Sequence, residues 1–246
     1  MQGKIIYEGK SELNGEQIVS IITDKSSNTK TGDVLQNWVL LRDVNPIEAS
    51  KTGFDSAICG NCVHRGIADG EHAKGRSCYV NIVMGGPNSI WKAYKAGKYQ
   101  YTEDFSFAKN KIVRLGAYGD PLAVPEYIWN KLLKYARGHL GYTHQWKSGK
   151  GQKYLMASVD SEREYQEAKA LGYRTFRVRS KDSELLKTEI ACPAAKETGK
   201  RLTCEQCLAC EGLGDSGNSK RRDISIIIHG GLAAQANGER NLLKVL

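Results

Sequence analysis

Seven cysteines divide into two well-separated groups whose spacing is typical of metal ligands. Two-residue gaps let neighbouring thiolates face one metal centre from a tight turn, as in zinc and iron–sulfur sites. The odd cysteine count and the length of the chain disfavour a disulfide framework. We therefore predict metal ligands in both groups. The first group is Cys59-x2-Cys62-x15-Cys78, and the second is Cys192-x11-Cys204-x2-Cys207-x2-Cys210.

The two groups differ in how many ligands they supply. Four thiolates in the second are enough for a tetrahedral zinc site or a four-iron cluster. Only three thiolates are present in the first, and two interpretations stay open for it. Either His64 is a fourth, structural ligand, or one coordination position is left for chemistry. Cys78 has a further alternative as a buried strand residue, because free cysteine packs well in protein cores.

Composition predicts a soluble protein of a reducing compartment. The chain has 246 residues and 40% hydrophobic residues, which suits one large domain. No apolar run approaches the length of a membrane span, and residues 1–6 lack the zones of a signal peptide. We therefore expect a cytoplasmic protein with no membrane partner.

The formal net charge of +9 indicates a polyanionic partner. Nucleic acid, either DNA or RNA, is the commonest such partner of a basic surface. The alternative is a solvated basic face with no ligand. The candidate contacts flank the second cysteine group, and they are Lys200, Arg201, Lys220, Arg221 and Arg222.

Strand and helix patterns alternate along most of the chain, which predicts a parallel sheet. Because no Gly-x-Gly-x-x-Gly follows the first strand, we expect a (β/α) barrel, either complete or incomplete, rather than a dinucleotide-binding sheet. We predict one domain over 1–246, with an N-terminal hairpin or cap over 1–31 and a metal-binding loop over 192–212. Predicted strands cover 38–41, 112–116, 154–159, 173–178 and 224–229, and predicted helices cover 89–95, a segment opened by Pro125, a segment capped by Ser161, and a last one after Gly231.

Polar residues at the predicted strand ends are candidate catalytic groups, because barrel enzymes collect their sites there. Asp120 and Asp160 are expected to end neighbouring strands and to divide nucleophilic and general-base roles. Asp160 has the alternative role of a helix cap. His144 is predicted to carry a proton or to contact a base. Tyr118, Tyr142 and Trp146 are candidate stacking partners for an extruded base.

Residues 153–160, the helix after them, residues 170–178 and the clustered cysteines resemble the end of the guanine transglycosylase barrel. The resemblance implies a zinc site and, for the DNA-directed phage branch (DpdA-like proteins), exchange of guanine for a 7-deazaguanine base. It covers about a quarter of the chain. One departure is that the family's nucleophilic aspartate is expected near Phe176, where this chain has Arg174, Thr175 and Arg177.

A second resemblance covers most of the chain. The order of several segments is similar to that in phage proteins with a radical-SAM-like barrel. These segments are the first cysteine loop, Gly119–Asp120, the 143–145 triplet, residues 158–160 and a terminal Gly-Gly strand. It implies a four-iron cluster that binds S-adenosylmethionine, together with an auxiliary cluster on the second group. The gaps of two and fifteen residues depart from the family's usual spacing of three and two.

These observations favour a nucleic-acid base-modifying enzyme, a transferase that exchanges guanine in DNA. The alternatives are a radical-SAM-like iron–sulfur enzyme and a non-catalytic, zinc-stabilised DNA-binding protein. Both resemblances imply a phage setting, so the expected location becomes the host cytoplasm.

Overall fold

A computed structural model describes residues 2–24, 29–83, 86–199, 202–214 and 221–228. The described strands are β1 (Gly3–Lys10), β2 (Gln17–Thr23), β3 (Val34–Leu41), β4 (Ile67–Ala68), β5 (Ala73–Lys74), β6 (Gln100–Tyr101), β7 (Ile112–Tyr118), β8 (Gly138–Thr143), β9 (Met156–Val159), β10 (Thr175–Arg179), β11 (Glu189–Ala191) and β12 (Asp223–Ile227). The α-helices are α1 (Pro46–Thr52), α2 (Ser56–Cys59), α3 (Gly86–Lys95), α4 (Glu126–Leu133), α5 (Glu162–Ala170) and α6 (Cys204–Cys207). Within these ranges, none of the helices has the length and apolar character needed to cross a bilayer.

Ten strands form one mixed, mostly parallel sheet in the order β11-β12-β10-β9-β8-β7-β3-β2-β1-β6. All neighbours from β11 to β3 pair in parallel. This is the α/β class that the alternating pattern predicts. Among the described residues the order ends at β11 on one side and at β6 on the other, so closure into a barrel is not shown.

The N-terminal segment forms the predicted hairpin. β1 pairs antiparallel with β2, and β2 pairs antiparallel with β3. The hairpin therefore extends the main sheet, and it buries Ile18, Val19 and Ile21 in the same core as β3.

Eight elements predicted from the sequence are present, with boundaries that differ by a few residues. They correspond to β3, α3, β7, α4, β9, α5, β10 and β12. Local signals account for the helix starts: Ser161 caps α5 by accepting from the Glu164 amide, and Pro125 precedes α4. The predicted strand end at His229, the Gly230–Gly231 turn and the last helix lie outside the described residues.

The central sheet has two differently covered faces, because side chains of a strand alternate in direction. On one face, Ala157 and Val159 pack against Tyr165 and Ala168 of α5. On the other, Met156 belongs to a cluster with residues of the second cysteine group. The sheet therefore lies between its crossover helices and the cysteine-rich loop.

Candidate metal centres

The first cysteine loop follows β3 and leads from α2 into a short 3-10 helix (Val63–Arg65). The residues after this helix form the antiparallel β4–β5 hairpin, after which the chain comes back to the cysteine loop. On return, the amides of Ser77 and Cys78 donate to the His64 carbonyl at 3.2 and 3.1 Å. The fifteen-residue gap is therefore a closed excursion that brings Cys78 back beside Cys62.

The half-buried cysteines of this loop lie close enough for their thiols to influence one another. Burial raises the pKa of Cys59 well above its ordinary value, and the neighbouring Cys62 and Cys78 raise it further. Burial likewise raises the pKa of Cys62 to about 12. Without a cation these thiols stay protonated, and a bound metal would convert them to thiolates.

Two polar contacts hold the backbone around Cys59. Arg65 binds the Asp55 carboxylate at 2.6 and 2.9 Å and donates to the Gly60 carbonyl at 2.7 Å. Gln145 follows β8, and its side-chain Nε2 donates to the Cys59 carbonyl at 2.9 Å. A side chain at Gly60 would meet Gln145 at 2.3 Å, and φ is +57° there, so this close approach requires glycine. The cysteine loop is thus tied to the carboxyl end of β8.

Three further side chains meet beside this loop. His64 Nε2 lies 2.8 Å from Asp160 Oδ2, and the His64 and His144 rings stand edge to face with centroids 5.4 Å apart. One ligand atom from each of these three residues lies within 4.8 Å of the other two. His64 Nδ1 is 2.8 Å from Ser77 Oγ. His64 is therefore engaged with Asp160 and Ser77, at the edge where β8 and β9 end.

Asp120 lies at the end of β7, but its carboxylate is buried and fully engaged. It accepts from the Leu122 amide at 3.0 Å, the Thr143 hydroxyl at 2.9 Å and the His144 amide at 2.8 Å. The expectation that Asp120 and Asp160 end neighbouring strands is wrong, because β8 lies between β7 and β9. Asp120 caps a 3-10 helix and fixes the backbone that carries His144.

We expect Asp120 to destabilise the fold as pH rises from about 4 to 6. Burial raises the pKa of its carboxyl from 3.8 to about 6. The folded state therefore holds this proton to higher pH than the unfolded state, and the associated stability is present below about pH 4 and lost through pH 6. The difference is on the order of 3 kcal/mol, since one pKa unit corresponds to about 1.4 kcal/mol.

Urea unfolding across this pH range tests the effect. The variant Asp120→Asn should show a flatter decline of stability than the wild type, whereas Asp33→Asn, at an exposed carboxylate, should keep the wild-type slope. Parallel curves for the wild type and Asp120→Asn would contradict the assignment.

The second cysteine group is assembled from separated segments. Cys192 follows β11, two cysteines bound α6, and Cys210 lies beyond it. All four line one cavity together with Tyr142 and Phe176. Burial raises the pKa of Cys210 to about 12, and the other three thiols raise it further. The predicted ligand set is therefore brought together.

Backbone and side-chain contacts fasten this group to the sheet. The Gly141 amide of β8 donates to the Cys210 carbonyl at 3.0 Å, and the Cys204 amide donates to the Lys30 carbonyl at 2.9 Å. Arg174, 2% exposed, donates to the carbonyls of Ala209, Glu211 and Arg222 at 2.6 to 2.9 Å. The arginine that stands near the expected nucleophile position thus holds the cysteine loop.

Two of the candidate nucleic-acid contacts are described, and both are engaged within the chain. Arg221 donates to the Leu208 carbonyl at 2.7 Å and pairs with Glu211. Arg222 donates to the carbonyls of residues 187–189. These guanidinium groups brace the cysteine loop and the start of β12. Lys200, Arg201 and Lys220 lie outside the described residues.

Two of the three aromatic candidates for base stacking are buried. Trp146 is 2% exposed and donates to the Ser158 carbonyl, and Tyr118 is 4% exposed. Tyr142 is half-buried and lines the cavity of the second cysteine group, where its hydroxyl bonds to Cys210 and its ring packs against Phe176. Trp146 and Tyr118 are therefore unsuited to stacking on an extruded base.

Comparison of the chain with models of known families, with curated proteins and with solved structures finds no match.

Sequence patterns identified the members of these sites but missed the grouping of His64, His144 and Asp160. His64 lies within a 3-10 helix, whereas His144 and Asp160 follow β8 and β9, so their spacing in the chain carries no signal. The one sequence indication was that His144 and Asp160 follow two consecutive strands.

Proposed function

We propose that this chain is an iron–sulfur enzyme with two centres, the radical-SAM-like alternative. Cys59, Cys62 and Cys78 hold a four-iron cluster with one open iron position. The second cysteine group holds an auxiliary centre. The radical-SAM-like resemblance implies S-adenosylmethionine as the ligand of the open position.

The observation that carries this proposal is the return of Cys78 to Cys62 through the β4–β5 hairpin. Two amides bonded to one carbonyl, that of His64, hold the ends of the excursion together. The unusual spacing therefore does not oppose a three-thiolate site. The loop also follows β3, at the carboxyl edge of the parallel strands, where α/β proteins bind ligands.

Arg114 of β7 connects the surroundings of the two groups. Its guanidinium donates to the hydroxyl of Tyr79, next to Cys78, at 2.7 Å. Arg114 also lies near Cys204 of the second group and near Tyr142, which lines the same cavity. This arrangement suits two centres on one face of the sheet, with a cation between them that offsets their thiolate charge.

Base exchange by paired carboxylates stays a prediction, and the geometry favours it less. A nucleophile must reach the sugar, whereas the Asp120 carboxylate is 6% exposed and accepts three hydrogen bonds. The net charge of +9 still favours a nucleic-acid substrate for the proposed enzyme.

Anaerobic reconstitution with iron and sulfide tests the proposal. We expect brown protein with about eight iron atoms per chain, four for each cluster. With dithionite as the electron donor, it should cleave S-adenosylmethionine. Cys78→Ala should lose about half of the iron and all of the cleavage, because it removes a ligand of the open cluster.

His72→Ala is the matched control, since His72 is exposed in the same excursion. It should keep both iron and cleavage. Colourless, zinc-loaded protein would refute the iron–sulfur assignment and support one of the two zinc alternatives, guanine exchange or non-catalytic DNA binding. Cleavage that survives in Cys78→Ala would refute the assignment of the open cluster.

A further inference from the structure

The group formed by His64, His144 and Asp160 is built from residues that no single motif connects. His144 follows β8 and Asp160 follows β9, two strands paired in parallel, so both residues emerge at the same edge. His64 reaches them from the cysteine loop through its 2.8 Å contact with Asp160. Three segments of the chain therefore converge on one point.

We propose that these three side chains bind one divalent transition-metal ion, distinct from the cysteine centres. Two imidazoles and a carboxylate are the donor set of catalytic zinc sites and of non-haem iron sites. Such sites keep at least one position open for water or substrate.

The separation of the donor atoms fits a site that tightens on binding. Bonds of about 2.0–2.1 Å place donors of a tetrahedral ion roughly 3.3–3.5 Å apart. Here all three donor atoms lie within 4.8 Å, and the His64–Asp160 pair is at 2.8 Å. Adjustments of about an ångström, within reach of side-chain rotation, close the site.

Ser77 supplies the outer contact that metal-bound histidines require. Its hydroxyl lies 2.8 Å from His64 Nδ1 and is itself buried. A hydroxyl both donates and accepts, so it can accept from Nδ1 once Nε2 binds a metal. Such partners fix the tautomer and the ring orientation of a metal ligand.

Burial gives the ion an electrostatic role. The side chains of His64 and Asp160 are 14% and 8% exposed. A divalent ion here would offset the charge of this buried carboxylate.

This proposal is independent of the iron–sulfur assignment because it uses no thiolate. His64 belongs to this site rather than to the first cysteine group, since its Nε2 atom faces Asp160. The open alternative in which His64 completes the cysteine site is the direct competitor.

Cobalt titration of the full-length protein, with its cysteine centres filled, separates the two. We expect about one additional equivalent of Co²⁺, with weak visible bands and no thiolate-to-cobalt charge transfer, as nitrogen and oxygen ligands imply. His144→Ala and Asp160→Asn should each abolish this signal. Ser77→Ala should weaken binding about tenfold or more, because it removes only the orienting contact.

His72→Ala is the control, and it should bind Co²⁺ as the wild type does. Intense thiolate-to-cobalt charge-transfer bands that accompany the added equivalent would assign His64 to the cysteine site and overturn the proposal. Unchanged binding in both His144→Ala and Asp160→Asn would overturn it as well, and so would the absence of any added equivalent in a wild type whose circular dichroism is that of a folded protein.

Discussion

Cys207→Ser is expected to lose the metal of the second cysteine group and most of the stability of the fold. Cys207 lies at the end of α6, and its thiol influences Cys192, Cys204 and Cys210. Metal binding by such a set is coupled to folding, and structural zinc sites in small domains contribute about 10–16 kcal/mol. Because this loop covers one face of β8 and β9, its release should expose the Met156 cluster.

Metal content and thermal unfolding of Cys207→Ser measure this loss. Cys78→Ser is the matched control, because it removes the same chemical group from the first cysteine loop and should leave the second centre filled. Unchanged metal content together with an unchanged melting temperature in Cys207→Ser would exclude the site.

Arg177→Met is expected to cost about 3–5 kcal/mol of unfolding free energy. Arg177 binds Glu189 through two hydrogen bonds of 2.7 Å, and the two side chains are 6% and 0% exposed. Removing the guanidinium leaves a buried carboxylate without its cation. The pair joins β10 to β11, so the cost should appear as a loss of global stability.

Urea unfolding measures the effect, and a double variant provides the control. Arg177→Met combined with Glu189→Leu removes both charges and should recover most of the loss, because well-packed apolar residues often replace a buried ion pair without penalty. A loss below about 1 kcal/mol in the single variant would be the size of an exposed pair and would contradict the expectation.

Much of the sheet follows from local patterns that the sequence carries. Strands such as β7 and helices such as α5 are indicated by apolar runs, caps and glycines, and these signals are local in the chain. Strand order is not local: no pattern reveals that β8 separates β7 from β9. The predicted adjacency of Asp120 and Asp160 therefore failed, although both residues lie at strand ends.

The candidate sites also combine features that local sequence patterns predict with features that they do not. The members of the second cysteine group could be grouped from the sequence because successive thiols at two-residue spacing are rare outside metal sites. The role of Asp120 could not be predicted, because a carboxylate beside a turn looks the same in sequence whether it faces solvent or caps a helix. His64 was one of two alternatives for completing the first cysteine site because it is near in the chain, whereas its partner Asp160 comes from a distant segment.

Because of the β4–β5 hairpin, the position of Cys78 in space is independent of its spacing from Cys62 in the sequence, two properties that a sequence motif normally couples. The ends of the hairpin are held at the His64 carbonyl, so the position of Cys78 does not depend on how many residues lie between the strands. The tip around Gly70 has free space beside it, since a Cβ there meets nothing within 4 Å. Insertions and deletions at this tip would change the spacing of the cysteines in the sequence while preserving their positions in space. For a loop built in this way, the interval between the cysteines records loop length, and a search keyed to a fixed interval would overlook its relatives.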